Sequence, residues 1–190
     1  MQFKSIGSDV TIYPLAKIIY PQEISIGNSV IIDDFVLMIG KGGITIGDFV
    51  HIASFVSIVG NSGLVLEDFT SLSPGVRIFT GDDDYSGRWM ANPTIPGKYR
   101  GANRKEIVIE KHAMIGANSV ILPGVRIGEG VRIGANSLVK HDCVSWMMYA
   151  GNPVKPIRKI DSRTILMLES ELRKEAYDEE GDYIPKELWR

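Results

Sequence analysis

The chain has 190 residues, of which 44% are hydrophobic and 8% aromatic, a size and composition that suit one globular domain with its own core. Its formal net charge is -2, and basic residues are interspersed with acidic ones, so we expect neither a nucleic-acid partner nor membrane insertion. No leader pattern and no long apolar run is visible, which predicts a cytoplasmic protein. The single cysteine, Cys143, excludes a disulfide framework and is predicted to be a packing residue.

The clearest feature of the sequence is an internal repeat, seen as three copies over residues 24–43, 44–63 and 64–81. Within these copies an aliphatic side chain recurs every six positions, at Ile26, Ile32, Met38, Ile46, Ile52, Ile58, Leu66, Leu72 and Ile78. After an interruption the same spacing resumes at Ile109, Ile115, Ile121, Ile127, Ile133 and Val139. A pattern that survives an interruption indicates a structural repeat.

A six-residue spacing fits neither an amphipathic helix nor a two-sided strand. It fits a coil in which each hexad supplies one short strand and one corner, three hexads complete a coil, and successive coils pair in parallel. The aliphatic position points inward, and a smaller residue four positions later shares the interior, as at Val30, Val50, Thr70, Ala113, Ser119 and Val125. The repeat therefore predicts an all-β parallel solenoid, although periodicity does not give its hand.

Two stretches, residues 115–125 (IGANSVILPGV) and 151–155 (GNPVK), resemble the hexapeptide-repeat acyltransferases, and the resemblance extends over about residues 6–157. It implies a left-handed parallel β-helix, acetyl-CoA or another acyl-CoA as the acyl donor, and a homotrimer with active sites between adjacent subunits. It also implies a sugar as the acceptor, as in relatives that modify sugars for surface polysaccharides.

We predict a β-helix domain over residues 1–160, with an insertion at 81–105, followed by a C-terminal helix and tail over 161–190. Asp161 is a candidate helix cap. The apolar residues on one face of that helix are Ile165, Leu168 and Leu172. The helix is expected to pack on the β-helix or on a neighbouring subunit.

The insertion is the predicted active-site loop, because it is long and carries several aromatic residues. Many hexapeptide-repeat acyltransferases have a catalytic histidine in the segment that corresponds to Thr80–Gly87, and this chain has no histidine there. We predict that Asp83 and Asp84 orient the acceptor; the alternative, an acidic turn whose side chains cap backbone amides, stays open. The candidate substrate-binding residues are Asp82, Tyr85, Trp89, Asn92 and Tyr99.

The missing histidine bears on the kind of acceptor. A carboxylate with a pKa near ~3.9 is a weak base toward a hydroxyl but can bind an ammonium, which favours N-acylation of a nucleotide-linked amino sugar. His51 is expected to point outward and, as a base, would favour O-acylation of a saccharide instead. Ser73 is a candidate to hydrogen-bond the acceptor or the thioester oxygen. His112 and His141 are predicted to be structural, and spacing gives no histidine an acidic partner.

By resemblance, coenzyme A lies along the C-terminal coils. The small residues expected to offer backbone groups to it are Gly116, Ala117, Ala135 and Gly151, and the cations expected near its phosphates are Lys155, Arg158 and Lys159. Two other classes of protein fit the same fold, a non-catalytic scaffold and a metal enzyme. Because a metal site of that kind needs converging histidines and the sequence has no close pair, no metal ligand is predicted.

Overall fold

The computed structural model describes residues 2–189, and its short strands form stacked coils. The coils before the insertion contain β1 (Ser5–Ile6), β2 (Thr11–Ile12), β3 (Lys17–Ile19), β4 (Ile24–Ile26), β5 (Ile31–Ile32), β6 (Leu37–Ile39), β7 (Ile44–Ile46), β8 (His51–Ile52), β9 (Ser57–Val59), β10 (Leu64–Leu66), β11 (Ser71–Leu72) and β12 (Arg77–Phe79). The insertion begins with β13 (Gly81–Asp82) and ends with β14 (Asn103–Arg104). The later strands are β15 (Ile107–Ile109), β16 (Met114–Ile115), β17 (Val120–Ile121), β18 (Arg126–Ile127), β19 (Arg132–Ile133), β20 (Leu138–Val139), β21 (Met147–Ala150) and β22 (Lys155–Lys159).

Equivalent strands of successive coils pair in parallel and form three sheets. The first sheet contains β1, β4, β7, β10, β15 and β18. The second contains β2, β5, β8, β11, β16, β19 and β21, with β22 added antiparallel to β21. The third contains β3, β6, β9, β12, β17 and β20. The predicted parallel β-helix is therefore confirmed.

The interior is filled by the residues that the repeat assigns to it. Every aliphatic residue of the six-residue spacing, and every smaller residue four positions later, is at most 3% exposed. Complete burial of one such aliphatic side chain contributes about 1.5–3 kcal/mol. Stacking the coils is what excludes water from these side chains, because a single coil leaves both of its faces open.

Two of the corners carry stacked aromatic residues in the left-handed backbone conformation. At the first corner, between the first and second sheets, Phe49 stacks on Phe69 with ring centroids 5.0 Å apart. His112 continues that stack, 4.9 Å from Phe69. At the second corner, between the second and third sheets, Phe35 stacks on Phe55 at 5.1 Å. Stacking offsets part of the cost, about 1–2 kcal/mol per residue, of the left-handed conformation.

A helix, α1 (Arg163–Ala176), follows the β-helix. Its N-cap is Ser162 rather than the predicted Asp161, but the Asp161 carboxylate accepts the backbone N–H of Arg163 at 3.1 Å. Among residues 2–189, no helix combines the length and the apolar content needed to cross a membrane.

The packed face of α1 differs from the predicted one. Ile165 and Leu172 are half-buried, but Leu168 is 53% exposed. The difference arises because Glu169 and Arg173 form ion pairs with the first corner and thereby set the rotation of the helix.

The helix and the tail after it cover the first corner along its length. Four side-chain contacts attach them to four different coils: Glu169 to His112 at 2.7 Å, Arg173 to Asp68 at 2.6 Å, Tyr177 to Asp48, and Tyr183 to Asp9 at 2.9 Å. The helix thus packs on the β-helix of its own chain.

Cys143 is buried, as predicted for a packing residue. Burial, together with the nearby Asp142, raises the pKa of its thiol to about 11. A thiol that stays protonated at neutral pH is a poor nucleophile.

Candidate active site

The insertion leaves and rejoins the β-helix at the third corner, between the third and first sheets. Its two ends pair as an antiparallel hairpin in which Gly81 faces Arg104 and Asp82 faces Asn103. The chain then resumes at β15 in register with β10, so that Leu64 pairs with Ile107. The loop is therefore held at both ends by backbone hydrogen bonds.

A cavity of about 810 Å³ lies between this loop and the outer surface of the third sheet. The sheet contributes apolar side chains, among them Val59, Phe79, Val120, Leu122 and Leu138. The loop contributes the polar and charged side chains Asp82, Asp83, Tyr85, Arg100 and Arg104. A second cavity, of about 490 Å³, shares Asp82, Asp83 and Tyr85 and adds Asp84 and Trp89. An apolar floor with a few convergent charged groups is typical of a small-molecule site.

Asp83 occupies the boundary of both cavities. Its Oδ1 accepts a hydrogen bond from the Arg100 guanidinium at 2.8 Å, and its Oδ2 accepts one from the backbone N–H of Asn92 at 2.9 Å. The bond from Arg100 and then the bond from Asn92 hold the pKa of this carboxyl below its usual range. Each carboxylate oxygen has a second lone pair, so Asp83 can still accept a hydrogen bond from a ligand.

Asp84 is engaged differently. Its carboxylate accepts bonds from the Ser86 hydroxyl at 2.8 Å and from the backbone N–H groups of Arg88 and Trp89 at 3.1 and 3.3 Å. These bonds, led by that from Ser86, lower its pKa. For Asp84 the geometry favours the alternative that the sequence left open, an acidic residue that stabilises its own turn.

The other predicted substrate-binding residues fall into two groups. Asp82, Tyr85 and Trp89 line the cavities, as their positions in the loop suggested. The Asn92 side chain instead accepts the backbone N–H of Thr94 at 2.9 Å, and Tyr99 is half-exposed and lines neither cavity.

Sequence reasoning missed Arg100 and Arg104, which supply the cations of the cavity. A basic residue at the closing end of a loop that begins with three consecutive aspartates is the signal that could have identified them.

The predicted coenzyme A residues form a line along the second corner, which also contains Ser73. The backbone N–H of Ser73 donates to Ile115 at 3.0 Å, one residue before Gly116 and Ala117 of the next coil. A Cβ added to Gly116 would lie 2.6 Å from the backbone nitrogen of Ala135, so only glycine allows the coils to approach this closely. The line continues to Gly151, which follows β21.

Of the predicted phosphate-binding cations, Lys155 lies at the end of this line, next to Ala150, whereas Arg158 and Lys159 run back beside Met148 and Met147 toward the first corner. Lys155, Arg158 and Lys159 belong to β22, which is exposed along its whole length. None of the ion pairs found among the described residues involves them. They form a cationic edge that a polyphosphate can reach.

Two histidines have acidic partners that their spacing in the sequence did not reveal. His51 is exposed, as expected, and its Nε2 lies 3.2 Å from Asp33 Oδ2 at the edge of the second corner. His112 is buried and pairs with Glu169 on α1, which agrees with a structural role. His141 is exposed.

Within one chain Ser73 and Asp83 belong to different corners. Ser73 precedes β12 at the second corner, whereas the loop that carries Asp83 leaves after β12 at the third corner. Ser73 lines neither of the loop cavities. Ser73 and Asp83 are thus separated by the width of the third sheet.

A parallel β-helix of hexads with a corner loop and a line of small residues defines the hexapeptide-repeat transferases. The family model described as Bacterial transferase hexapeptide (six repeats) matches residues 106–141. The crystal structure of AntD, an N-acyltransferase from Bacillus cereus, in complex with dTDP and 3-hydroxybutyryl-CoA is 40% identical, with a TM-score of 0.85 over 90% of this chain and 89% of that one. The chain belongs to the hexapeptide-repeat acyltransferase family.

Two curated relatives match shorter segments. A dTDP-4-amino-4,6-dideoxy-D-glucose acyltransferase from Escherichia coli is 41% identical over 106 residues, which are 56% of this chain and 55% of that protein. A putative lipopolysaccharide biosynthesis O-acetyl transferase, WbbJ, from Escherichia coli K12 is 38% identical over 77 residues, which are 40% and 39% of the two chains. The match thus spans about half the length of the first curated relative and less of the second.

Proposed function

We propose that this protein transfers an acyl group from acyl-coenzyme A to the amine of a nucleotide-linked amino sugar. The observation that carries the proposal is Asp83, an anionic carboxylate at the cavity in a loop that has no histidine. Such a carboxylate is a poor base for a sugar hydroxyl but a good acceptor for the hydrogens of an amine. An amine needs no enzymatic base once it is unprotonated.

The relatives support a dTDP-linked amino sugar as the acceptor. The Bacillus cereus N-acyltransferase has been crystallised with dTDP-4-amino-4,6-dideoxyglucose and coenzyme A. That enzyme has also been crystallised as variants of a serine and of an aspartate that lie ten positions apart in its sequence. Ser73 and Asp83 are likewise ten positions apart here. By the family resemblance, we further propose that the acylated sugar serves surface polysaccharide synthesis and is made in the cytoplasm.

The chemistry follows from these residues. The free amine attacks the thioester carbonyl, forming a C–N bond while the carbonyl π electrons move to oxygen. The Ser73 hydroxyl donates a hydrogen bond to that oxygen. The tetrahedral adduct then collapses, the C–S bond breaks, and the thiolate of coenzyme A leaves with the proton lost by the attacking nitrogen. Asp83 holds the nitrogen in place and does not change its own protonation.

Coenzyme A is proposed to lie along the second corner. Its pantetheine passes the backbone groups of Gly116, Ala117, Ala135 and Gly151, and its phosphates lie against Lys155, Arg158 and Lys159. This orientation directs the thioester toward Ser73, which lies on the same edge.

A homotrimer is proposed because Ser73 and Asp83 are on different corners of one chain. The loop of one subunit then lies against the second corner of the next. Both surfaces expose apolar side chains: Phe35 and Phe55 at the corner, and Tyr85, Trp89 and Met90 on the loop. Light scattering during size-exclusion chromatography is expected to give three times the chain mass, and a monomer would contradict the assembly.

Acyl transfer is tested by following thiol release with acetyl-CoA and 3-hydroxybutyryl-CoA against dTDP-linked amino sugars and their hydroxyl counterparts. We expect turnover with the amines alone and a fall in kcat/KM on the order of 10- to 100-fold in Asp83→Asn, the value of a hydrogen bond to a charged group. Glu175→Gln removes an exposed carboxylate of α1 and serves as the control. Equal turnover in wild type and Asp83→Asn would contradict the role of Asp83.

O-acylation of a saccharide hydroxyl is the second candidate, favoured by the His51–Asp33 pair. A carboxylate that orients an exposed imidazole is the arrangement of a general base, and the pair adjoins the second corner. Turnover with hydroxyl acceptors that collapses in His51→Ala would establish this candidate and exclude the first.

A further inference from the structure

Arg100 is the cation that pairs with Asp83 in the wall of the cavity. The two side chains meet at 2.8 Å and are 19% and 31% exposed, so water screens them only in part. The backbone of Arg100 is fixed by its N–H, which donates to Gly97 at 3.2 Å, and by a bridge to Met90. The loop therefore presents this guanidinium to the carboxylate in a defined position.

Two carboxylates and two guanidinium groups line the larger cavity, so their charges balance. The third sheet contributes only uncharged side chains to it, and the loop contributes Asp82, Asp83, Arg100 and Arg104, together with the phenol of Tyr85. Asp84, on the second cavity, bonds to its own turn. Removing Arg100 would leave two carboxylates against one guanidinium.

This balance matters for a nucleophilic amine. A carboxylate within about 4–6 Å stabilises the ammonium and raises its pKa by about 1–3 units, and a nearby cation lowers that pKa. An acceptor bound to Asp83 alone would be held in the protonated form, which has no lone pair for attack. The same carboxylate that binds the acceptor would therefore slow the reaction unless its field were offset.

We propose that Arg100 is a positioning residue that orients Asp83 and offsets its charge, so that the acceptor amine is bound at the cavity yet loses its proton near neutral pH. The inference rests on the proposed N-acyl transfer. Arg100 acts through Asp83 and needs no contact of its own with the acceptor.

The test is the pH dependence of kcat with a dTDP-linked amino sugar, whose acidic limb reports deprotonation of the bound amine. In Arg100→Gln we expect that limb to move up by about one pH unit, with an unchanged or lower KM for the sugar at neutral pH. In Asp83→Asn the limb is expected to move down and the KM to rise. Opposite shifts from two partners in one ion pair are the signature of an electrostatic role, because a merely structural role moves neither limb.

Two further variants serve as controls. Arg100→Lys keeps the charge, so its limb should stay near that of wild type even if kcat falls. Arg88→Gln removes the same charge from an exposed position of the same loop outside the cavities, and its profile should match wild type. Should Arg100→Gln not fold, Arg100→Lys and Asp83→Asn still give the comparison: a limb displaced equally in both variants would overturn the inference.

The inference would also be overturned if the acidic limb of Arg100→Gln stayed at the wild-type pH while Arg100→Gln and Arg100→Lys lost activity equally. Failure of the proposed function has a different result, which is that wild type itself shows no transfer to amines.

Discussion

The first and second corners are built from the same repeat and share an aromatic stack in the left-handed conformation, yet only one of them is covered. At the first corner Phe49 lies under Tyr177, Tyr183 and Trp189, with ring centroids 6.1 to 6.4 Å away. At the second, Phe35 and Phe55 are 53% and 58% exposed.

The residues beside the aromatic rings explain the difference. Asp48 and Asp68 precede the first-corner rings, and each uses one oxygen to bond a backbone N–H of the preceding coil and the other to bind the C-terminal segment. At the second corner the residue before Phe35 is also an aspartate, Asp34, which accepts the backbone N–H of Leu15 in the preceding coil. The next two coils have Ser54 and Pro74 at this place, and neither carries a carboxylate that could bind the tail. The first corner is thus covered by the C-terminal segment of its own chain, and the second corner is left exposed.

The largest expected effect is at the covered corner. Glu169→Ala should lower the free energy of unfolding by about 3 kcal/mol, because it leaves the buried His112 and the Arg173 guanidinium without a shared carboxylate. Unfolding of the two proteins in urea measures the change. Glu175→Ala, an exposed position on the same helix, should change stability by less than about 0.5 kcal/mol. Equal losses in both variants would mean that the ion pairs do not attach the helix.

A matched pair of phenylalanines compares the corners directly. Phe49→Ala should lower the free energy of unfolding by about 2–3 kcal/mol, because it removes a ring packed on both sides. Phe35→Ala should lower it by less than about 1 kcal/mol, because the second-corner ring is exposed. Both positions have positive φ, so the strain imposed on alanine cancels in the comparison. Thermal unfolding of the two variants at equal concentration measures the difference, and similar melting temperatures would remove the distinction between the corners.

At the open corner the expected effect is on activity rather than stability. Ser73→Ala should lower kcat on the order of 10- to 100-fold, because it removes the donor that we propose for the developing oxyanion, and should leave the melting temperature within about one or two degrees of wild type. Ser54→Ala, at the same corner one coil earlier, is the control and should keep full activity. A loss confined to KM would assign Ser73 to binding alone.

The smallest effect is a difference in pH dependence. Burial raises the pKa of Glu169, but hydrogen bonds from His112 and Arg173 outweigh it and hold the pKa below the ordinary value. A carboxyl with a depressed pKa contributes stability that is present above its unfolded pKa, about 4.3, and is lost as the pH falls through its folded pKa. The melting temperatures of wild type and Glu169→Gln should therefore converge as the pH falls below about 4.3. Parallel curves would show that Glu169 does not titrate in this range.

The sequence predicted the coils well because the information is local. A six-residue period assigns each side chain to the interior or the surface without knowledge of the rest of the chain. The hand of the coils is different, since parallel crossovers are right-handed in about 98% of cases and only the resemblance implied the opposite.

The partners of the histidines and the rotation of α1 were not predictable in this way. His112 and Glu169 are 57 positions apart and meet only because the tail folds back over the first corner. The apolar residues of the helix suggested one face, but its two charged contacts with the corner selected another. Likewise, Arg100 reaches Asp83 only after the loop has closed, 17 positions later.

The hairpin at the base of the insertion has a consequence for how such enzymes diverge. Because β13 and β14 bring the two ends of the loop together, the coil after it continues in register with the coil before it. Residues 83–102 can then change in length and sequence without disturbing the stack that supports them. The loop behaves as an exchangeable module, and grafting it between relatives is a direct way to ask how much of the choice of acceptor it carries.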